Sequence, residues 1–348
     1  MTNKLLNFGA FCLVAATASV AGAKISNPVY PKDFPDPTTW QAPDGTWRAV
    51  STSHKLLKSK DFFTWEDTGT RAIPHEELAP FRKRFDNVWA PDVFKNGKEY
   101  LMYISLIQTA PDSAIAVFSS KSPDGPFTNG KIITDSKITK IRDTIDPEVV
   151  RDEKGQLWLF FGSTGKIHRI KLAPDGKSIA KGAKYEHVAG LANSPGRKKV
   201  FEGPYLHKHD GWWYLFASRG QYWDHSYGVI VGRSKTLDGT FVDRKGTPMT
   251  EGGGTPVITS GPKDKFFGPG HNGEIVTIKG RDYMALHCHI KGKHSGRRPL
   301  FVTEIKWDDE GWPKGSLKTK YARLLRDALQ INENPRPIEA RVLFYGYV

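Results

Sequence analysis

The sequence predicts an all-β protein, a five-bladed β-propeller whose blades are four-stranded antiparallel sheets. Three observations predict it. One short pattern recurs five times along the 348 residues. The composition, with 34 Gly, 23 Pro and 12% aromatic residues, favours many short strands joined by tight turns. Helical periodicity is nearly absent outside Tyr321–Gln330.

Each copy of the pattern opens on an acidic or polar residue, usually beside a proline. A short apolar strand, a glycine-containing turn and an aromatic-rich strand follow. The first runs Asp36-Pro37-Thr38-Thr39-Trp40, turns at Asp44-Gly45 and continues from Thr46 to Val50. The second, Trp89-Ala90-Pro91-Asp92-Val93-Phe94, turns at Asn96-Gly97 and continues from Tyr100 to Ile104. The third is Asp146-Pro147-Glu148-Val149-Val150, with its turn at Lys154-Gly155 and then Leu157 to Phe161. The fourth is Glu202-Gly203-Pro204-Tyr205-Leu206, turning at Asp210-Gly211 before Trp212 to Phe216. The fifth is Gly268-Pro269-Gly270-His271-Asn272, then Ile275-Val276, a turn at Lys279-Gly280, and Tyr283 to Leu286. Asp36, Asp92, Asp146, Glu202 and His271 recur at intervals of 56, 54, 56 and 69 residues, the period of a propeller blade. Outer strands are visible in Ala114–Phe118 and Gly228–Gly232.

The innermost strand of every propeller blade lines the central channel. The five leading residues are therefore expected to converge at one mouth of it. Four carboxylates and a histidine around one small axis are costly to hold without water, a metal or a task. Two facing carboxylates are the minimum equipment for hydrolysing a glycosidic bond. One is protonated and gives its proton to the leaving oxygen; the other is ionised and activates water. A third carboxylate keeps the acid protonated, because like charges resist joint ionisation. Singly, an Asp-Pro is an ordinary turn and His271 an ordinary core histidine. Five in register describe a site.

At these same residues the chain resembles glycoside hydrolase family 43. The resemblance rests on Asp33-Phe34-Pro35-Asp36-Pro37, Trp89-Ala90-Pro91-Asp92-Val93, Ile145-Asp146-Pro147-Glu148-Val149, Glu202-Gly203-Pro204-Tyr205 and Gly268-Pro269-Gly270-His271-Asn272, and covers about residues 27–315. It implies a five-bladed propeller that hydrolyses arabinan and xylan linkages with inversion. It makes Asp36 the general base, Glu202 the general acid, and Asp146 the residue that raises the acid's pKa and orients it. His271 becomes the channel histidine that helps hold a hydrated calcium or other cation, with no organic cofactor. Asp92 becomes a structural or ring-orienting partner counted with the substrate contacts.

Thr144–Val150, Val231–Lys235, Glu251–Thr255 and Lys306–Pro313 are similar to the arabinan-cleaving branch. Glu202-Gly203-Pro204 stands where endo-arabinanases more often have Glu-Ala-Pro, which leaves endo or exo action open. A β-xylosidase or another glycosidase of the family is one alternative reading, and a non-catalytic carbohydrate-binding propeller is another. Fructan hydrolases usually carry Glu-Cys where this chain has Glu202-Gly203. Of the candidate stacking aromatics Phe34, Trp89, Tyr222 and Trp223, the first two are expected to meet sugar rings. Arg298 is expected to reach substrate hydroxyls.

Lys4, the apolar or small run Leu5–Val20 and Ala21-Gly22-Ala23 read as a secretory signal over residues 1–23. The propeller is then expected over 24–317, in the periplasm or outside the cell. Residues 318–348 match no repeat and are expected to pack on the propeller or stay partly disordered. Cys12 leaves with the signal, so Cys288 has no disulfide partner and reads as a small buried hydrophobe. The net charge of +14 suits an acidic polysaccharide as partner, or simply solubility. No nucleic-acid motif accompanies it, and no later run is long and apolar enough for membrane insertion. The expected partner is a polysaccharide or oligosaccharide, bound by a monomer.

Overall fold

The computed structural model describes residues 25–108, 112–191, 201–292 and 296–317. The predicted signal segment and the tail from 318 lie outside the described residues. Blade 1 comprises β1 (Thr38–Gln41), β2 (Trp47–Val50), β3 (Lys55–Ser59) and β4 (Glu66–Arg71). Blade 2 comprises β5 (Asn87–Asn96), β6 (Glu99–Ile107), β7 (Ser113–Ser120) and β8 (Thr128–Asp135). Blade 3 holds β9 (Glu148–Arg151), β10 (Leu157–Phe161), β11 (Ile167–Lys171) and β12 (Glu186–Ala189). Blade 4 holds β13 (Phe201–His209), β14 (Trp212–Arg219), β15 (Gly228–Ser234) and β16 (Thr255–Ile258). In blade 5 the inner strand is broken into β17 (Phe266–Gly270) and β18 (Ile275–Ile278), both paired to β19 (Arg281–Ile290), followed by β20 (Leu300–Trp307) and β21 (Pro313–Gly315). Every pairing is antiparallel, and all but β17 with β19 join chain neighbours, as the five repeats predict.

The five predicted inner hairpins all form. Their glycines, Gly45, Gly97, Gly155, Gly211 and Gly280, have φ between +64° and +83°, a region glycine enters without steric cost. Among the described residues the apolar side chains form no single central core. Five apolar clusters fill the five interfaces between successive blades. Trp40, Leu56 and Phe118 join blades 1 and 2, while Tyr103, Val149 and Phe161 join blades 2 and 3. Phe160, Leu215 and Ile230 join blades 3 and 4, Phe216, Leu286 and Phe301 join 4 and 5, and Ala49, Leu57 and Tyr283 join 5 and 1. Each blade is thus buried on both faces, which is why Leu157–Phe161 is apolar without alternation and wholly buried. Burying one large apolar side chain contributes roughly 1.5–3 kcal/mol. Before blade 1 the chain clamps onto blade 5: Tyr30 bridges Leu300, and the Asn27 side chain both donates to the Val302 carbonyl and accepts from its amide.

A ring of hydrogen bonds runs round the channel. One residue at the head of each blade has positive φ: Asp36 (55°), Ala90 (42°), Asp146 (56°), Gly203 (57°) and His271 (42°). Each donates its amide to a side chain of the preceding blade. Asp36 N–H goes to His287 Nδ1 (3.1 Å), Ala90 to Thr52 Oγ1 (2.9 Å) and Asp146 to Ser105 Oγ (2.9 Å). Gly203 goes to Asp146 Oδ2 (3.2 Å) and His271 to Ser218 Oγ (2.7 Å). Strand pairing slips at three of these points, between Trp89 and Asp92, Glu202 and Tyr205, and Phe267 and Gly270, as a bulge requires.

Ser105 is fully buried. Replacing it by Ala strands the Asp146 amide, so Ser105→Ala is expected to cost about 1–3 kcal/mol in denaturant unfolding. A change below 0.5 kcal/mol would mean that the ring is incidental to the fold.

Candidate active site

Asp36, Asp146, Glu202 and His271 converge, as predicted, on one cavity of about 430 Å³. Trp89 lines it and is 40% exposed, again as predicted. Tyr222 and Trp223 were not among the expected contacts, yet both line the cavity and are 43% and 51% exposed. They sit in the β14–β15 connection and meet edge to face at 4.9 Å. Two aromatics in a loop at the channel mouth, outside any strand that would bury them, are the signal that finds them.

Two expectations are corrected. Phe34 is fully buried between blades 5 and 1 against Tyr30, at 5.6 Å between ring centroids, so no sugar can stack on it. Asp92 does not line the cavity. The residue of blade 2 equivalent to Asp36 is Ala90, and Asp92 lies two residues further along the channel wall. There Asp92 Oδ2 accepts the Val149 amide (2.9 Å), a structural duty between blades. Glu148 repeats this one blade on, accepting the Leu206 amide at 3.2 Å, and Glu274 accepts from Thr38 and Thr39 of blade 1.

Asp36 is the most heavily partnered carboxylate. Its Oδ2 accepts from Thr52 Oγ1 (2.7 Å) and its Oδ1 from Arg298 Nη1 (3.0 Å). Nδ1 of His271 and of His287 each lie 3.3 Å from Oδ1. Burial alone would raise its pKa, but Arg298 and then the two histidines outweigh it and hold the carboxyl well below the usual range. His287 is driven down to about 3, by burial and then by Arg298, so it is neutral. Its Nδ1 therefore accepts the Asp36 amide, and Arg298 is the cation that keeps Asp36 ionised. Arg298 is itself fixed by its backbone amide on Asp33 Oδ1 (2.7 Å) and lies 5.0 Å over the Tyr222 ring. Its guanidinium is thus turned to Asp36 as well as to the cavity.

Asp146 behaves oppositely. Burial, then the charges of Glu202 and Asp36, push its pKa well above the usual range. Asp146 therefore holds its proton where Asp36 has lost its own. Glu202 is oriented through both oxygens: Tyr227 OH donates to Oε1 (2.6 Å) and Ser163 Oγ to Oε2 (2.8 Å). Neither Tyr227 nor Ser163 was legible as a site residue, since neither falls in a repeat motif. Cys288 is fully buried and donates to the Phe267 carbonyl; burial pushes its thiol far up, so it is inert, as expected.

His271 is the residue that would hold a cation in the channel. With Nδ1 against Asp36, the Nε2 atom is the one left to ligate, the usual carboxylate–histidine–metal order. Asn272 Oδ1 is buried and unpartnered. The carboxyls of Asp92 and Glu148 are raised well above their usual range, first by burial and then by neighbouring carboxylates, and burial raises that of Glu274. Among the described residues His271 belongs to no cluster of three side-chain ligands, so a cation there would keep most of its water.

Comparison with known proteins agrees with this geometry. The model of the glycosyl hydrolases family 43 matches residues 25–313. An extracellular exo-α-(1→5)-L-arabinofuranosidase of Cellvibrio japonicus is 30% identical, over 81% of this chain and 86% of the relative. An extracellular endo-α-(1→5)-L-arabinanase of Bacillus subtilis is also 30% identical, over 86% and 91%. The structure of a Cellvibrio cellulosa α-L-arabinanase complexed with arabinohexaose superposes with a TM-score of 0.71, at 28% identity, covering 81% of this chain and 95% of that one.

Two outcomes follow from the protonation pattern. Arg298→Gln removes the cation that depresses Asp36, so the acidic limb of kcat/KM is expected to move up by about one to three pH units. An unmoved limb would separate Arg298 from the base. Asp146→Asn keeps an acceptor for the Gly203 amide and removes a buried charge. A raised folded-state pKa means that wild-type stability falls as pH rises from the unfolded value, about 4, toward the folded one. Asp146→Asn should therefore be inactive yet more heat-stable, with no advantage below about pH 4 and a growing one above it; melting curves across pH check this.

Proposed function

We propose that this chain, which belongs to the glycosyl hydrolases family 43, hydrolyses the α-1,5-linkages of L-arabinan, in either exo or endo manner, with Asp36, Asp146 and Glu202 as its catalytic carboxyls. Family 43 enzymes are inverting glycoside hydrolases. The observation that carries the residue assignment is the opposed protonation in one cavity: an ionised Asp36 under Arg298 and a carboxyl pushed toward its protonated form at Asp146, beside Glu202. The names of the Cellvibrio and Bacillus relatives support the substrate.

Inversion needs a base that takes a proton from water on one face of the sugar and an acid that protonates the leaving oxygen on the other. Asp36 is held well below the usual carboxylate range and so is ionised near neutral pH, ready to accept that proton directly. Glu202, held by Tyr227 and Ser163, gives its proton to the glycosidic oxygen as the bond breaks. Asp146, beside both, stays protonated more readily than an ordinary carboxyl and orients the acid. Trp89, Tyr222 and Trp223 offer apolar faces to sugar rings along the cavity. A cation at His271, held with water and near Asn272, would supply positive charge to the buried acids of the channel and brace His271 against Asp36.

Export is part of the same reading. Both relatives are extracellular enzymes by name, and among the described residues no helix is long and apolar enough to cross a membrane. The signal at residues 1–23 would deliver the enzyme, acting as a monomer, to polysaccharide outside the cytoplasm.

The experiment is hydrolysis of debranched linear α-1,5-arabinan with product sizing. Mixed oligomers mark endo action and arabinose or one short product marks exo action. Glu202→Gln should lower kcat by about 10²- to 10⁴-fold on arabinan, the worth of a general acid. Trp223→Ala should raise KM roughly 3- to 10-fold with kcat nearly kept, the loss of one stacking contact. A wild type inert on arabinan, xylan and aryl glycosides, with and without calcium, would sink the enzymatic reading.

A further inference from the structure

A second constellation lies away from the cavity. His207 and His209 are on β13 and Asp282 is on β19, so it spans blades 4 and 5. Two residues apart on a strand, the histidine rings share one face. One ligand atom from each of the three side chains lies within 4.8 Å of the others, and all three residues are partly buried. β13 leaves the cavity at Glu202, so at about 3.3 Å per residue His207 stands ~17 Å away along the strand. This is the opposite end of the propeller from the catalytic carboxyls.

The group is held from outside. Trp307 stacks on His209 with 3.8 Å between ring centroids and 6° between planes, and lies 5.8 Å from the His207 ring. Its Nε1 donates to Asp282 Oδ2 (2.7 Å), while Thr277 Oγ1 donates to Oδ1 (2.6 Å). Partners of this kind orient metal-ligating groups, and each carboxylate oxygen keeps a second lone pair.

We propose that His207, His209 and Asp282 form a binding site for a divalent first-row transition cation, with zinc as its type, that clips blade 4 to blade 5. Two imidazoles and one carboxylate are nitrogen-rich for calcium or magnesium and suit zinc, with a fourth position left for water. Zinc bonds of about 2.0–2.1 Å set ligand atoms ~3.3 Å apart, so at most about 1.5 Å of ring movement closes the site. The His209 side chain is 24% exposed, which gives the ion a way in. The site differs in chemistry and place from the cation position proposed at His271. Its effect is on stability, because a ligand that binds only the folded chain raises its melting temperature.

The test is calorimetric titration of zinc chloride into the full chain, purified without a histidine tag and stripped with EDTA. One zinc per chain, at micromolar or tighter affinity, is expected, with binding at least tenfold weaker in His209→Gln and in Asp282→Asn. His271→Gln should bind this zinc as the wild type does. Added zinc should raise the wild-type Tm by several degrees and leave His209→Gln unmoved. Asp282→Asn preserves shape and an acceptor for Trp307, so it tests ligation even if His209→Gln melts early without metal. No saturable binding below about 100 µM zinc would overturn the site, as would binding that survives His207→Gln and His209→Gln alike. The cluster would then be only a stack of rings.

Discussion

One backbone amide per blade, turned through a left-handed residue and donated to the preceding blade, is the contact on which the site depends. Five such bonds, from Asp36, Ala90, Asp146, Gly203 and His271, close a ring round the channel. A non-glycine residue in this region costs roughly 1–2 kcal/mol. The neighbouring blade supplies a buried acceptor that holds the chain there. The return is geometric: Asp36, Asp146 and His271 at ring positions, and Glu202 beside Gly203, are aimed at one cavity, and the ring backbone is pinned by hydrogen bonds rather than left on mobile loops.

The ring is rewired at one boundary, between blades 3 and 4, beside Asp146 and Glu202. Thr52 just after, and Ser105, Ser218 and His287 late within, the second strand of their blades accept the next blade's amide. Ser163 holds the corresponding place in blade 3, yet it donates to Glu202, and Asp146 accepts the Gly203 amide instead. That exchange brings Asp146 close against the start of β13, where its charge and that of Glu202 resist joint ionisation. Across the cavity, Arg298 neutralises Asp36. One fold thus keeps one carboxyl charged and another protonated at the same pH, by the nearness of a cation in one case and of anions in the other.

The repeats made the fold legible. Glycine turns, apolar runs and a period near 55 residues are local signals, and each blade answers to them separately. Asp36, Asp146, Glu202 and His271 were legible for the same reason, since they head the inner strands. Asp92 misled because acidic residues recur at blade spacing in two registers: the ring position and the wall two residues beyond it. Only the φ angles distinguish the two. Phe34 misled because an aromatic beside the base is equally a core residue, and nothing local tells a buried face from an open one.

The sequence by itself determined what is set by near neighbours along the chain: strands, turns, blade number, and the residues that can sit at the head of each inner strand. Tertiary structure decided which groups meet. Arg298 reaches Asp36 across 262 positions, Tyr227 reaches Glu202 across 25, and His287 receives the Asp36 amide across 251. The protonation states rest on these long-range contacts and on burial. A carboxyl's pKa depends on charges within a few ångströms in space, and those distances exist only once the ring of blades has closed.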